Sequence, residues 1–275
     1  AITNPLPFSA FLDAVWIGEA EGQFFSLVAE LATMKQQQAT RADVIDRLAK
    51  ESAVWMPGKR AVRAVFEGFS SHRYGHAYPI PVVKPVQDHG VVEVMRGCPN
   101  GCRFCHAGYF YRPQRLRDPQ AIFDEVETQV RIAGHREITL SSLSSGDYPG
   151  IFDLMRALNA KYGPEGVSFQ LPSLKVESFP LELVDEISGT RKSGLTFAVE
   201  TPLEQWQMTI NKKVSLEKVR AILEQAHTSG YRVAKFYFML GLPLPDAGVN
   251  ETSAIIDFIR QVADASPLRV NVTLA

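Results

Sequence analysis

The 275-residue chain has few cysteines, no long apolar run and no excess of either charge. Its richest apolar stretch, residues 236–244, is about half as long as a membrane-crossing helix and is typical of a buried strand. The 29 basic residues balance 30 acidic ones, which gives no support to a polybasic protein that binds nucleic acid or a membrane surface. No basic segment followed by an apolar run opens the chain, so no signal peptide is indicated.

The chain contains only three cysteines, and all of them fall within eight residues: Cys98, Cys102 and Cys105. An odd number packed this tightly is not a disulfide framework. The cluster indicates a reducing compartment, which we take to be the cytoplasm, and thiolates gathered for one purpose.

After residue 90, apolar runs rich in β-branched and aromatic residues alternate with stretches of helical spacing. This alternation predicts βαβ units and a parallel sheet, either a flat doubly wound sheet or an incomplete TIM-like (β/α)6 barrel. In both architectures ligands bind at the carboxyl ends of the strands. The predicted strands are 91–95, 137–140, 167–171, 195–199, 233–240 and 268–274, and the predicted helices are 118–134, 151–163, 181–187, 215–230 and 251–265.

Residues 1–84 follow a different pattern and form a small α/β segment. Strands are predicted at 11–17 and 61–66 and a helix at 19–34, with a second helix starting at a Thr40–Asp43 capping box. These elements are too few to close a core alone, so we expect the remnant of another domain, followed by a second domain over 85–275. Since the chain begins with Ala1, we also expect an internal fragment of a longer protein.

The cysteines lie in a loop with the spacing C-x3-C-x2-C directly after the first strand of the second domain. Turn-forming residues separate them, including Pro99, Asn100 and Gly101, so a loop is predicted. Cysteine thiolates hold iron–sulfur clusters, and three of them leave one iron of a four-iron cluster open. The alternatives are a zinc site completed by His89 or His106, which lacks the usual second cysteine pair, and three structural cysteines.

This loop, with the aromatic Phe104 before its last cysteine, resembles that of the radical S-adenosylmethionine (SAM) superfamily. Residues 92–113 are similar to a bacterial branch that carries an N-terminal cobalamin-binding-like domain and is related to methylthiotransferases and elongator-like enzymes. The resemblance covers residues 85–275 well and 1–84 weakly. Residues 13–21 resemble the last βα unit of such a domain but lack an Asp-x-His-x-x-Gly motif, so cobalamin is expected only in a longer protein.

The resemblance implies a [4Fe–4S] cluster on Cys98, Cys102 and Cys105, with SAM on the fourth iron. The implied activity is reductive cleavage of SAM to a 5′-deoxyadenosyl radical, with a reductant such as flavodoxin or ferredoxin. This fragment is a doubtful catalyst alone. The substrate, a small molecule or RNA, is not identified, the balanced charge supplies no footprint for RNA, and neither DNA nor a membrane is indicated. The competing hypothesis is a non-catalytic iron–sulfur or zinc module for electron transfer or partner docking.

Further cofactor-binding candidates follow the other strands. By resemblance, Ser144, Ser145 and Gly146, with Asp147 beside them, bind the amino group of SAM. The alternative is an N-cap cluster that opens the next helix.

By resemblance, Glu200 is expected to face the cofactor, the alternative being an acid that caps the following helix. Ser173 and Lys175 are expected near cofactor or substrate. The turn at Gly241 resembles the superfamily segment whose backbone contacts adenine, the alternative being a plain strand–loop junction. Four basic residues either bind an anion or are solvated: Arg112, Arg115, Arg117 and Lys212. Lys235 interrupts the apolar run of the fifth strand, and its role is open.

Overall fold

The structure, a computed structural model, describes residues 4–75, 81–83, 85–187, 194–244, 248 and 250–275. The chain divides into two compact units, Ala1–Phe69 and Ser70–Ala275. The division precedes the predicted boundary at residue 84. Parts of the predicted connector, residues 76–80 and 84, lie outside the described residues.

The first unit contains two helices and a two-stranded antiparallel sheet. The Thr40–Asp43 capping box is confirmed, since the Thr40 side chain accepts from the Asp43 N–H and the Asp43 carboxylate accepts from the Thr40 N–H. The elements are β1 (Val15–Trp16), α1 (Phe24–Gln36), α2 (Arg41–Ala49) and β2 (Val54–Trp55).

Of the two strands predicted in this unit, 11–17 is confirmed only as the short β1, and 61–66 is wrong. Only two residues of 11–17 form a strand, and of 61–66 only Ala64 makes an isolated bridge, to Gly18. Single bonds to separate partners take the place of a ladder here. The Ala64 N–H donates to the Ile17 carbonyl oxygen at 2.9 Å, and the Val62 N–H donates to the Ser52 carbonyl oxygen at 2.8 Å. The Phe66 N–H donates at 2.9 Å to the buried Glu19 carboxylate, which pairs with Arg63 at 3.1 Å. The apolar pattern of 61–66 therefore marks a packed segment and not a strand, whereas that of 11–17 contains the paired residues Val15 and Trp16.

The second unit contains all six predicted strands and all five predicted helices, with small shifts at their ends. A short hairpin, Met95–Arg96 with Arg115–Leu116, and two short helices, His106–Phe110 and Glu204–Thr209, were not predicted. The strands are β3 (Gly90–Glu93), β4 (Met95–Arg96), β5 (Arg115–Leu116), β6 (Glu137–Ser141), β7 (Ser168–Gln170), β8 (Leu195–Glu200), β9 (Val233–Phe238) and β10 (Arg269–Leu274). The helices are α3 (His106–Phe110), α4 (Pro119–Arg131), α5 (Ile151–Tyr162), α6 (Leu183–Ile187), α7 (Glu204–Thr209), α8 (Leu216–Thr228) and α9 (Glu251–Ala265).

The main strands form two parallel groups, β3-β6-β7 and β8-β9-β10. In each group, strands that pair with each other belong to consecutive βα units of the chain. A doubly wound sheet reverses its strand order at a switch point, whereas a barrel does not. The topology therefore fits the partial (β/α)6 barrel, although within the described ranges no strand pairing joins β7 to β8.

The core lies between the strands and the surrounding helices. Phe197 of β8 stacks on Phe236 of β9, and Phe236 and Phe238 both meet Phe258 of α9 edge-on. Because side chains alternate along a strand, the residues between them face the other side of the sheet. Across the part of the chain that the structure describes, no helix is long and apolar enough to cross a membrane.

Candidate cofactor site

The cysteine loop is carried by the hairpin of β4 and β5, which pair in antiparallel register. Gly97 opens the loop with φ +82°, and a Cβ atom there would lie 2.7 Å from the Tyr111 carbonyl oxygen, so glycine is required. All three cysteines are partly exposed and form no disulfide. Cys105 caps α3, with its sulfur 3.4 Å from the Gly108 N–H. The predicted loop conformation is therefore confirmed, and a helix follows it directly.

Asn100 ties this loop to the carboxyl ends of β6 and β7. Its amide nitrogen donates to Asp147 at 2.6 Å and to Ser144 at 3.2 Å, and it lies 3.6 Å from the Cys98 sulfur. Its amide oxygen accepts from the Lys175 ammonium at 2.8 Å. The structure thus brings together predicted residues from three different strand ends.

The serine-rich turn after β6 is a short 3-10 helix, Ser145–Asp147. Ser144 and Ser145 are buried, and the Ser144 hydroxyl donates to Asp147 at 2.6 Å. The alternative that these residues cap the next helix is wrong. The N-cap of α5 is Gly150, with φ +74° and no side-chain cap, and Asp147 instead accepts from the cysteine loop.

Gly146 and Ser173 complete this side of the site. A Cβ at Gly146 would lie 3.1 Å from the Ser178 carbonyl oxygen, so the turn packs closely on the segment after β7. Ser173 has φ +59°, and its carbonyl oxygen accepts from the Ser145 N–H at 3.2 Å. These contacts place both residues at the predicted position, and their role in binding SAM stays a prediction.

Glu200 and Lys212 form an ion pair of 2.7 Å at the end of β8. The Glu200 and Lys212 side chains are only 12% and 13% exposed, so Lys212 is not a solvated surface charge. The Lys212 nitrogen also lies 5.8 Å from the centre of the Phe104 ring, which belongs to the cysteine loop. The alternative role of Glu200 as a helix cap is wrong, since α7 is preceded by Leu203 and has no side-chain cap.

Backbone strain is concentrated around these residues. Ser173, Glu200 and Asn211 all have φ between +54° and +67°, a region that residues other than glycine seldom adopt. Glu200 also follows a register shift between β8 and β9. Such strain persists where the surrounding contacts impose it, and it occurs preferentially at functional sites.

We expect the variant Lys212→Met to destabilise the protein by about 1–3 kcal/mol, because it leaves the poorly solvated Glu200 carboxylate without its partner. The double variant Glu200→Gln/Lys212→Met is expected to recover part of that loss. Thermal unfolding measures both effects, with Lys213→Met as an exposed control. Equal stability of Lys212→Met and the control would show that the ion pair contributes nothing.

The electrostatic surroundings of the loop act in opposite directions on its central thiol. Burial raises the pKa of Cys102, while the ammonium groups of Lys212 and Lys175 act to lower that pKa. Nearby cations favour the thiolate, the form that binds metal. Lys175, which follows β7, and Lys212, which follows α7, therefore offset part of the effect of burial, which still raises the pKa of Cys102.

The donor set fits an iron–sulfur cluster. Thiolates are the ligands that hold such clusters, and all three cysteines of the loop are free. In a four-iron cluster each cysteine binds its own iron, so three sulfurs need no common point of approach. Three unpaired thiols on one loop beside two ammonium groups fit an anionic cluster.

Other predicted residues have mixed outcomes. Gly241 follows β9 with φ +68°, and its N–H donates to Glu251 at 3.1 Å, while residues 245–247 of the same turn lie outside the described residues. Lys235 is exposed on the strand face opposite the core, and its role stays open. Arg112 is exposed and lies 4.6 Å above the Tyr109 ring.

Arg117 is neither a solvated residue nor an anion-binding residue of the site, so both interpretations were wrong. Its side chain is fully buried and pairs with Glu125 at 2.6 Å. It follows β5, and its guanidinium also donates to the Glu93 carbonyl oxygen at 3.3 Å.

Sequence reasoning missed several contacts that hold the loop. The Asn211 amide donates to the Gly101 carbonyl oxygen at 2.9 Å, and the Arg103 N–H donates to the Ile210 carbonyl oxygen at 2.9 Å. The Arg103 guanidinium also donates to the carbonyl of Met208 at 3.0 Å. These bonds connect the loop to the end of α7. Their only sequence signal was the turn chemistry of asparagine.

Comparison with known families agrees with this geometry. The model of the radical SAM superfamily matches residues 92–254, more than half of the chain. The chain belongs to the radical SAM superfamily. A second family model, described as the N-terminal part of radical SAM proteins, matches residues 1–57 of this superfamily member.

Curated relatives cover part of this radical SAM chain. An uncharacterized protein of Methanocaldococcus jannaschii is 28% identical over 169 residues, which are 59% of this chain and 36% of that protein. A tRNA-2-methylthio-N(6)-dimethylallyladenosine synthase of Clostridium novyi is 33% identical over 115 residues, 39% of this chain and 24% of the synthase. The chain thus spans about a third or less of the length of these relatives.

Solved structures share the fold of this radical SAM chain. The radical SAM methyltransferase TsrM from Kitasatospora setae, with cobalamin and a [4Fe-4S] cluster bound, has a TM-score of 0.62 at 12% identity and covers 90% of this chain and 51% of its own. The cobalamin-dependent radical SAM enzyme OxsB has a TM-score of 0.66 at 13% identity, and the match covers 98% of this chain and 39% of the OxsB chain. At these identities the likeness establishes the fold alone.

Proposed function

We propose that the protein is a radical SAM enzyme that holds a [4Fe–4S] cluster on Cys98, Cys102 and Cys105 and cleaves SAM reductively. The observation that carries this proposal is the convergence of three unpaired thiols with polar residues from the ends of β6, β7 and β8. When bound, the cluster supplies the electron that cleaves the sulfonium of SAM and releases a 5′-deoxyadenosyl radical.

The residues around the loop bind and orient the cofactor in this proposal. Phe104 presents a partly exposed ring beside Lys212, suited to stacking on a flat base. Glu200, held by Lys212, offers a carboxylate to hydroxyl or amino groups. Ser144, Ser145, Gly146, Ser173 and Gly241 complete the proposed SAM-binding set.

The substrate and partners are proposed only by class. The substrate is a small molecule or RNA, and the electron donor is a reductant such as flavodoxin or ferredoxin. Free thiols support a reducing compartment, and we place the protein in the cytoplasm. Residues 1–84 are proposed as the remnant of a cobalamin-binding-like domain that binds cobalamin only in a longer protein.

The decisive experiment is anaerobic reconstitution with iron and sulfide. We expect about four irons per chain and formation of 5′-deoxyadenosine from SAM when dithionite is added. Stoichiometric zinc without SAM cleavage would contradict the proposal and favour the non-catalytic module.

A further inference from the structure

We infer that Asn100 is a positioning residue that locks the cysteine loop onto the ends of β6 and β7 and donates an N–H···S hydrogen bond to Cys98. The inference rests on the proposed function, in which Cys98 is a cluster ligand. Asn100 lies between the first two cysteines, and it contacts residues 44, 47 and 75 positions further along the chain. It is therefore the side chain through which a local loop is held by distant strand ends.

The chemistry of the neighbours fixes which way the amide points. A carboxylate only accepts hydrogen bonds, and an ammonium only donates them. With Asp147 on one side at 2.6 Å and Lys175 on the other at 2.8 Å, the amide nitrogen must face Asp147 and the oxygen must face Lys175. The reversed amide would place oxygen against carboxylate and NH2 against ammonium. The assignment therefore rests on charge and not on a choice between two similar atoms.

This orientation directs the amide nitrogen towards Cys98, 3.6 Å from its sulfur. One N–H of the amide donates to Asp147, which is the closest acceptor and the charged one. The second N–H is shared between the Ser144 hydroxyl and the Cys98 sulfur. Hydrogen bonds to the cysteine sulfurs are among the factors that set the potential of iron–sulfur clusters. An N–H donor stabilises the more negative, reduced state, so its loss makes the midpoint potential more negative.

The positioning role is tested with a reciprocal exchange. In Asn100→Asp, two carboxylates face each other within hydrogen-bonding distance, and we expect reconstituted iron per chain to fall to less than half of the wild-type value. In the double variant Asn100→Asp/Asp147→Asn, donor and acceptor are exchanged and Lys175 keeps an acceptor, so iron content should return to near wild type. Asn4→Asp, an exposed change in the first unit, is the control.

The sulfur contact is tested by spectroscopy of the reduced cluster. With ¹⁵N-labelled asparagine, pulsed electron paramagnetic resonance should show a nitrogen coupled to the cluster in the wild type and none in Asn100→Ala. The midpoint potential of Asn100→Ala should be more negative than that of the wild type.

Three outcomes are distinguishable. Wild-type iron content in Asn100→Asp, or no recovery in the exchanged double variant, overturns the positioning role. An uncoupled asparagine nitrogen in the wild type, or an unchanged potential in Asn100→Ala, overturns the sulfur contact. A wild-type protein that binds no cluster overturns the proposed function itself.

Discussion

Replacing Cys102 by alanine is expected to abolish the brown cluster and all SAM cleavage while the second unit stays folded. The chain has three cysteines and no spare thiol that can take over as a ligand. Cys102 lies in a loop, and its side chain is partly exposed, so its loss creates no cavity in the core. The core between strands and helices contains none of the three cysteines. The variant should therefore lose the cluster without losing stability of the fold.

Loss of the cluster is measured by iron and sulfide analysis and by the visible absorbance spectrum, and loss of SAM cleavage by the yield of 5′-deoxyadenosine. Circular dichroism measures whether the fold is kept. Met208→Ala is a suitable control, since Met208 is 70% exposed on α7 and close to the loop. A variant at Cys102 that retains about four irons would refute the ligand assignment. A variant that loses its helical signal would show that the thiol stabilises the fold.

The fold of the second unit could be predicted because its signals are local. Asp118 followed by Pro119 marks the start of α4, and Ser215 marks the start of α8, and both caps form as the sequence indicates. The first unit was harder, because residues 61–66 bond distant residues one at a time: Ala64 bonds the backbone of Ile17 and Glu19, and the Phe66 N–H donates to the Glu19 carboxylate. No periodicity within residues 61–66 carries that information.

The candidate site was predictable in its chemistry but not in its connections. The three cysteines follow from motif spacing, and the strand-end residues follow from the resemblance together with the rule that ligands meet at the carboxyl ends of parallel strands. The bonds of Asn100 depend on tertiary structure, since Asp147 and Lys175 come from other βα units. The sequence therefore identifies Asn100 only as a turn former, and Asp147 only as a SAM-binding candidate or a helix cap.

Arg117 shows the same limit for charged residues, because three arginines at 112, 115 and 117 look alike in sequence. The structure separates Arg117 from the others, since its side chain is wholly inaccessible to solvent. Its guanidinium pairs with Glu125 at 2.6 Å, donates to the His72 carbonyl at 2.7 Å and lies 4.9 Å from the centre of the Tyr74 ring. It thereby joins α4, the hairpin and the segment before β3.

We expect Arg117→Met to cost about 3–5 kcal/mol, because it leaves the Glu125 carboxylate in the core without its cation. For a domain of this size, such a loss lowers the midpoint of thermal unfolding by roughly 6–20 °C. The matched control is Arg73→Met: Arg73 also pairs with an acid of α4, Asp124, but is 51% exposed, so its loss should cost at most about 1 kcal/mol. The double variant Arg117→Met/Glu125→Leu removes both charges and should regain most of the stability. Equal unfolding midpoints for Arg117→Met and Arg73→Met would show that burial of the Arg117–Glu125 pair does not determine how much that pair contributes to stability.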